Sequence, residues 1–202
     1  DGTRPGVFYG NLYDVKQTPK FGMRTLTFHE AVPGHHFQLA LNIENEELTL
    51  YRKLGYGTSA HTEGWALYAE QLAVEVGMTK NLYDELGVLQ SEMFRANRLV
   101  VDTGIHHKKW TREKAMDYMK KTTGMSDTEV RVEIERYIVW PGQATSYKIG
   151  MLKILELREK AKNQLGEKFD LRDFHAIVLD HGIVPLFVLE DLIDEWIEES
   201  KD

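Results

Sequence analysis

The sequence predicts a mainly α-helical domain with a small N-terminal β element, and three observations carry that reading. From Met23 onward, apolar residues recur three and four positions apart. Over the same stretch Gly and Pro read as marking the seams between periodic segments. Residues 1 to 22 differ, with Gly2, Pro5, Gly6, Gly10, Pro19 and Gly22 set around short aromatic runs.

Taken in order, Val7-Phe8-Tyr9 and Leu12-Tyr13 predict one or two short strands, with an exposed edge around Val7 to Tyr13. The periodic segments then predict helices at about 23–43, 59–77, 80–107, 111–122, 126–139, 143–165, 171–180 and 185–199. Thr111 and Ser126 sit at N-cap positions, and Glu129 three residues after Ser126 completes a capping box. Gly166 and Gly182 fall where a residue with positive φ closes a helix. Trp65, Leu67 and Tyr68 read as core, and the acidic tail Glu195, Glu198 and Glu199 as a solvated helix face.

Composition narrows the chemistry. A chain of 202 residues that is 42% hydrophobic and 28% charged can bury a core of its own, as one domain or one large piece of a bigger one. A formal net charge of -7 argues against a nucleic-acid partner, which would need clustered Lys and Arg to neutralise phosphates. With no Cys, any metal must be held by imidazole and carboxylate, and eight His residues become the groups to place. No apolar run is long enough to span a bilayer, and no signal-peptide pattern is visible. Because the chain opens on Asp1-Gly2-Thr3-Arg4 without an initiator Met, it is expected to come from a longer protein. Cytoplasm and bacterial envelope, periplasmic or lipoprotein, both stay open, as does the oligomeric state.

The segment Phe28-His29-Glu30-Ala31-Val32-Pro33-Gly34-His35-His36 carries the chemistry. A helical zinc signature places two His four residues apart, on one helix face, with Glu after the first. Here Pro33 stands where the second His belongs. On an unbroken helix His35 would point roughly 120° away from His29, and His36 would lie about 10 Å along the axis. Pro33 removes a backbone donor and Gly34 permits unusual dihedrals, so the helix is expected to break or bulge there and bring His35 back beside His29. His35 is therefore preferred over His36 as second metal ligand. Glu30, next to a ligand, is placed as general base.

A catalytic Zn2+ site needs a third protein ligand and an open position. The best candidate is Glu63 in His61-Thr62-Glu63-Gly64-Trp65, near the start of the next long helix. Glu70, seven residues on and on the same face, could orient a ligand imidazole from behind. Paired Glu-x-x-His motifs are missing, which removes a di-iron bundle from consideration.

The stretches DGTRPGVFYGNL, HEAVPGHHFQLAL, HTEGWALYAEQL, RLVVDTGIHHKKWTREKAMDYM and WPGQATSYKIG resemble the C-terminal third of the bacterial family known as domain of unknown function 885. That family is grouped with the zincin-like, gluzincin-type metallopeptidases, so the resemblance implies a zincin-like helical domain and makes residues 1–202 the catalytic C-terminal portion of a longer peptidase. The family pattern H-E-x-x-P-G-H falls on His29, Glu30, Pro33, Gly34 and His35, and T-E-G-W on Thr62, Glu63, Gly64 and Trp65.

Further roles stay open between candidates. Arg98, Asp102 and His106 recur every four residues on one stripe, either as a buried ionic network or with Asp102 orienting His106 as oxyanion donor. Tyr147 is the rival for that role. Lys148, Arg136 or Arg98 could clamp a substrate carboxylate, and the N-terminal edge with Tyr9 could pair with an extended peptide beside the metal. The expected function is zinc-dependent hydrolysis of peptide bonds in short peptides, by carboxypeptidase or oligopeptidase action. The alternative is a non-catalytic metal-binding or interaction module that keeps the architecture. As isolated His residues, His36, His107, His175 and His181 are expected to be surface or hydrogen-bonded groups with a structural role.

Overall fold

The computed structural model describes residues 5–10, 19–55 and 57–201. They form nine α-helices: α1 (Lys20–Glu30), α2 (His35–Glu44), α3 (Ser59–Glu75), α4 (Leu82–His106), α5 (Arg112–Thr123), α6 (Asp127–Val139), α7 (Ser146–Leu165), α8 (Leu171–Asp180) and α9 (Leu186–Lys201). One π-helical turn, Tyr51–Gly55, lies between α2 and α3. The predicted β element is not found: Val7 to Gly10 have no regular secondary structure, and Leu12 and Tyr13 lie outside the described residues. Val7, Phe8 and Tyr9 are exposed, so no packing holds them against the helices as a strand would need.

Local chemistry accounts for the helix ends. The Thr111 hydroxyl accepts the Lys114 N–H, and the Ser126–Glu129 capping box closes in both directions. Asn81 and Asp170 cap α4 and α8 in the same way. Gly166 and Gly182 adopt φ of 55° and 70°, the region L residues avoid.

α3 is the central helix, packed against α1, α2, α4 and α7. Trp65, Leu67 and Tyr68 on it are buried with Ile154 and Leu157 of α7, Phe174 of α8, and Leu189 and Ile193 of α9. A second cluster joins Val101 of α4, Met119 of α5 and Val130, Ile134 and Tyr137 of α6. At roughly 1.5–3 kcal/mol for each large apolar side chain removed from water, these two clusters supply the main drive to fold.

Gly64, Gly87, Gly104 and Gly150 lie inside helices, against the expectation that Gly would mark seams. Close approach is the reason. A Cβ on Gly150 would stand 1.8 Å from the Ala60 carbonyl oxygen, and one on Gly64 would stand 2.5 Å from the Gly150 backbone. α3 and α7 therefore touch backbone to backbone, which fixes where Glu63 and Tyr147, close by on each helix, come to rest.

One buried and one half-buried imidazole tie the outer helices to α3. His61 accepts the Val184 N–H at Nδ1 and donates from Nε2 to the Val178 carbonyl, and burial pushes its pKa down to about 4. His175 accepts the Tyr68 hydroxyl at 2.7 Å. Burial, with Arg158 nearby, lowers its pKa from 6.5 to about 4. Since the unfolded chain takes up this proton first, the His175 contribution is intact above pH 6.5 and is lost as pH falls towards 4. For this partly exposed ring the loss is roughly 1–2 kcal/mol. Urea titrations at pH 7 and pH 4.5 are expected to register that loss for the wild type, and a smaller one for His175→Gln, which keeps an acceptor for Tyr68. An equal loss in both proteins would refute the assignment.

Candidate metal centre

α1 stops at Glu30 and α2 starts at His35, so the helix is interrupted at Pro33 as expected. Gly34 has the unusual dihedrals expected of it, φ -78° and ψ -135°, and close approach adds a second demand: a Cβ there would lie 1.9 Å from the His29 carbonyl oxygen. The turn doubles back so tightly that only Gly fits. The Trp65 indole N–H donates to the Pro33 carbonyl at 2.8 Å and fastens the turn to α3.

That turn brings the His29 and His35 rings to 4.7 Å between centroids, edge to face. Glu63 projects from the second turn of α3 between them, its Oε2 lying 3.1 Å from His35 Nε2 and 3.8 Å from His29 Nε2. One donor atom from each of the three residues lies within 4.8 Å of the others. An ion about 2 Å from each donor wants them about 3.3 Å apart, so modest side-chain rotation closes the set. His36 is not among them; its ring packs against Gly6.

Behind His29, Nδ1–H donates to Glu70 Oε1 at 2.7 Å. His29 is 3% exposed, so this bond fixes which nitrogen faces Glu63. Burial works against a charge on Glu70, yet Arg95, the His29 bond and the Ser91 hydroxyl hold its carboxyl below the usual range. Burial likewise opposes charge on Glu63, and the polar groups of His29, His35 and Tyr147 gathered around it overcome that, leaving the carboxyl well below the usual range. The His29 pKa is raised despite burial by the carboxylates of Glu63 and Glu70 on its two sides. The donor set is thus two imidazoles and one ionised carboxylate, one imidazole braced by a second carboxylate, which suits a divalent metal such as zinc. Glu70→Gln is expected to weaken zinc binding by about 10- to 100-fold, the usual cost of losing such a brace. Chelator-competition titration checks this, with Glu75→Gln, whose carboxylate pairs with Arg158, as the control that leaves affinity unchanged.

Tyr147 belongs to this centre. Its ring is nearly parallel to that of His29 at 6.4 Å, and its hydroxyl accepts from Arg136 at 3.1 Å. Glu30 ends α1 exposed, and makes no hydrogen bond or ion pair among the described residues.

Other expected roles require correction. Asp102 does not orient His106: its carboxylate accepts the Gly142 N–H at 3.1 Å, while His106 Nε2 donates to the Tyr137 carbonyl at 2.9 Å. Both fasten α4 to the end of α6, and His106 has no free Nε2–H for an oxyanion. Arg98 is buried, donating to the Tyr137 hydroxyl and to Glu133, with its guanidinium 4.3 Å over the Tyr147 ring. Lys148 is occupied by Glu92 at 2.6 Å. Tyr9 is 86% exposed, and the described residues around it, 5–10, form no strand whose edge a peptide could join. Arg95 and Ser91 went unrecognised in the sequence. The signal was there: Ser91, Arg95, Arg98 and Asp102 form a polar stripe at 4-3-4 spacing, the spacing of a buried helix face.

A mainly helical protein with a gathered His-His-Glu centre is the class that fold and site define. The chain belongs to the family described as "Bacterial protein of unknown function (DUF885)", which it matches over residues 1–193. It is similar to the crystal structure of "the putative lipoprotein from Colwellia psychrerythraea", with 55% identity and a TM-score of 0.95 over 98% of this chain and 34% of that one. It is also similar to "a putative lipoprotein of unknown function from Shewanella oneidensis", with 30% identity and a TM-score of 0.81 over 88% of this chain and 32% of that one. The chain therefore spans about a third of the length of these relatives. No match is found among curated proteins. No helix among the described residues is long and apolar enough to cross a membrane.

Proposed function

We propose that the protein is a zinc-dependent, zincin-like peptidase acting on short peptides, with His29, His35 and Glu63 as the metal ligands. The observation that carries this reading is the convergence of those three donors across a helix break, with Glu70 bracing His29 from behind. A zinc ion held there supplies Lewis acidity towards a peptide carbonyl and a water molecule. Glu30, unpaired and next in sequence to a ligand, accepts the proton from the attacking water and delivers it to the departing amine. The Tyr147 hydroxyl, on the ring that lies nearly parallel to that of His29, is the group within the centre that can turn to the oxyanion. An envelope location agrees with the description of both solved relatives as lipoproteins.

The test is mass spectrometry of a mixed peptide library, cell-wall peptides included, incubated with zinc-loaded protein and with Glu30→Gln. Cleavage by the wild type alone is expected. Tight zinc binding without any cleavage would favour a metal-binding module instead.

A further inference from the structure

Three cationic side chains were candidates for holding a substrate carboxylate, and their surroundings separate them. Arg98 has a side chain 4% exposed and is enclosed between Glu133, Tyr137 and Tyr147. Lys148 is neutralised by Glu92. Arg136 differs: its side chain is 32% exposed, and of its five N–H donors only the two on Nη2 are engaged, with Gln143 Oε1 at 2.8 Å and the Tyr147 hydroxyl at 3.1 Å. Its nearest carboxylate, Glu133, stands 3.8 Å from Nη1, beyond hydrogen-bond reach, and is already held by Arg98 at 2.8 Å and the Tyr137 hydroxyl at 2.6 Å. Two guanidiniums against one carboxylate leave a positive charge at Arg136.

Position gives that charge a use. Arg136 donates to the Tyr147 hydroxyl at 3.1 Å, and the Tyr147 ring lies 6.4 Å from that of His29, so the guanidinium stands one side chain away from the candidate metal ligands. One extended residue spans about 3.5 Å, and a hydrogen bond to its carboxylate adds about 3 Å. Trp140, 57% exposed and with its ring 5.8 Å from the Arg136 guanidinium, offers apolar surface to the last side chain.

We propose that Arg136 anchors the C-terminal carboxylate of a peptide whose scissile bond lies at the His29, His35 and Glu63 centre, making the protein a carboxypeptidase that removes one apolar residue at a time. This rests on the peptidase reading above. The test uses two pseudopeptides ending in Leu, one as free acid and one as amide, with the scissile amide replaced by a non-cleavable methylene-amine. Calorimetry on zinc-loaded and on metal-free protein is expected to find the acid bound at least about tenfold more tightly than the amide in the loaded protein, as a charge-assisted contact gives. Arg136→Gln should abolish that preference while still binding one zinc per chain, and Arg136→Lys should keep part of it. Equal affinity for acid and amide in the wild type, which needs no substitution, overturns the proposal, as does an undiminished preference in folded Arg136→Gln. Zinc stoichiometry is measured separately, so failure of the wild type to bind zinc sinks the metal reading while the acid and amide comparison still reports on Arg136.

Discussion

Replacing Glu30 by Gln is expected to lower peptide hydrolysis by about 10²- to 10⁴-fold, the usual contribution of a positioned proton acceptor, and to leave zinc affinity unchanged. The amide keeps the shape of the carboxyl but cannot take a proton. Because Glu30 is exposed and unpaired among the described residues, the exchange removes no structural contact, so folding stability should not move. His29→Ala should lose both zinc and turnover, since it removes a donor and leaves Glu70 facing an empty space. Steady-state assays on the library's best peptide, paired with zinc titration of each variant, separate the two effects. Full turnover by Glu30→Gln would rule out its role as base.

Gly150→Ala should be the most damaging single methyl group in the chain. Its Cβ would fall 1.8 Å from the Ala60 carbonyl oxygen and 2.7 Å from the Gly64 Cα. Those atoms belong to helix backbone, which cannot swing aside as a side chain would, so α3 and α7 must separate. We expect a loss of about 3 kcal/mol or more, at the upper end for overpacked cores, and weaker zinc binding as Glu63 is carried away from α1. Gly22→Ala is the control: inside α1, with nothing within 4 Å, it should be neutral or slightly stabilising. Chemical denaturation of the two variants beside the wild type decides, and near-native stability of Gly150→Ala would contradict the close crossing.

The helices from Leu82 to Lys201 follow the sequence periodicity because each buries one face, and a buried face repeats in the sequence, whereas central α3 is buried on all sides from Gly64 to Glu70. The His29, Glu30, Pro33, Gly34 spacing likewise announced a break, since Pro and Gly act on their own backbone. Glu70 was legible from Glu63 because seven residues return to the same helix face. Contacts between helices were not. Arg98, Asp102 and His106 do share a stripe, yet what each meets is decided by α6 and the turn at Gly142, which the stripe does not encode. Nor does an isolated Gly announce whether it bends a chain or admits a neighbour; Gly64 and Gly150 do the second. The strand expectation at Val7 failed because aromatic residues between turn formers favour extended chain, but a strand also needs a partner strand.

The break at Pro33 and Gly34 distributes the candidate centre over three separate helices, with His29 on the last turn of α1, His35 at the start of α2 and Glu63 on the second turn of α3. In a single-helix signature two of the ligands are rigidly preset by one set of backbone hydrogen bonds. An ion held here would act as a staple joining three elements, and its binding energy would enter the stability of the junction itself, raising it by about 2.7 kcal/mol at a hundredfold excess over the dissociation constant. Chelation should then loosen the α1–α2 corner before any other part of the molecule, first where Trp65 holds the Pro33 carbonyl.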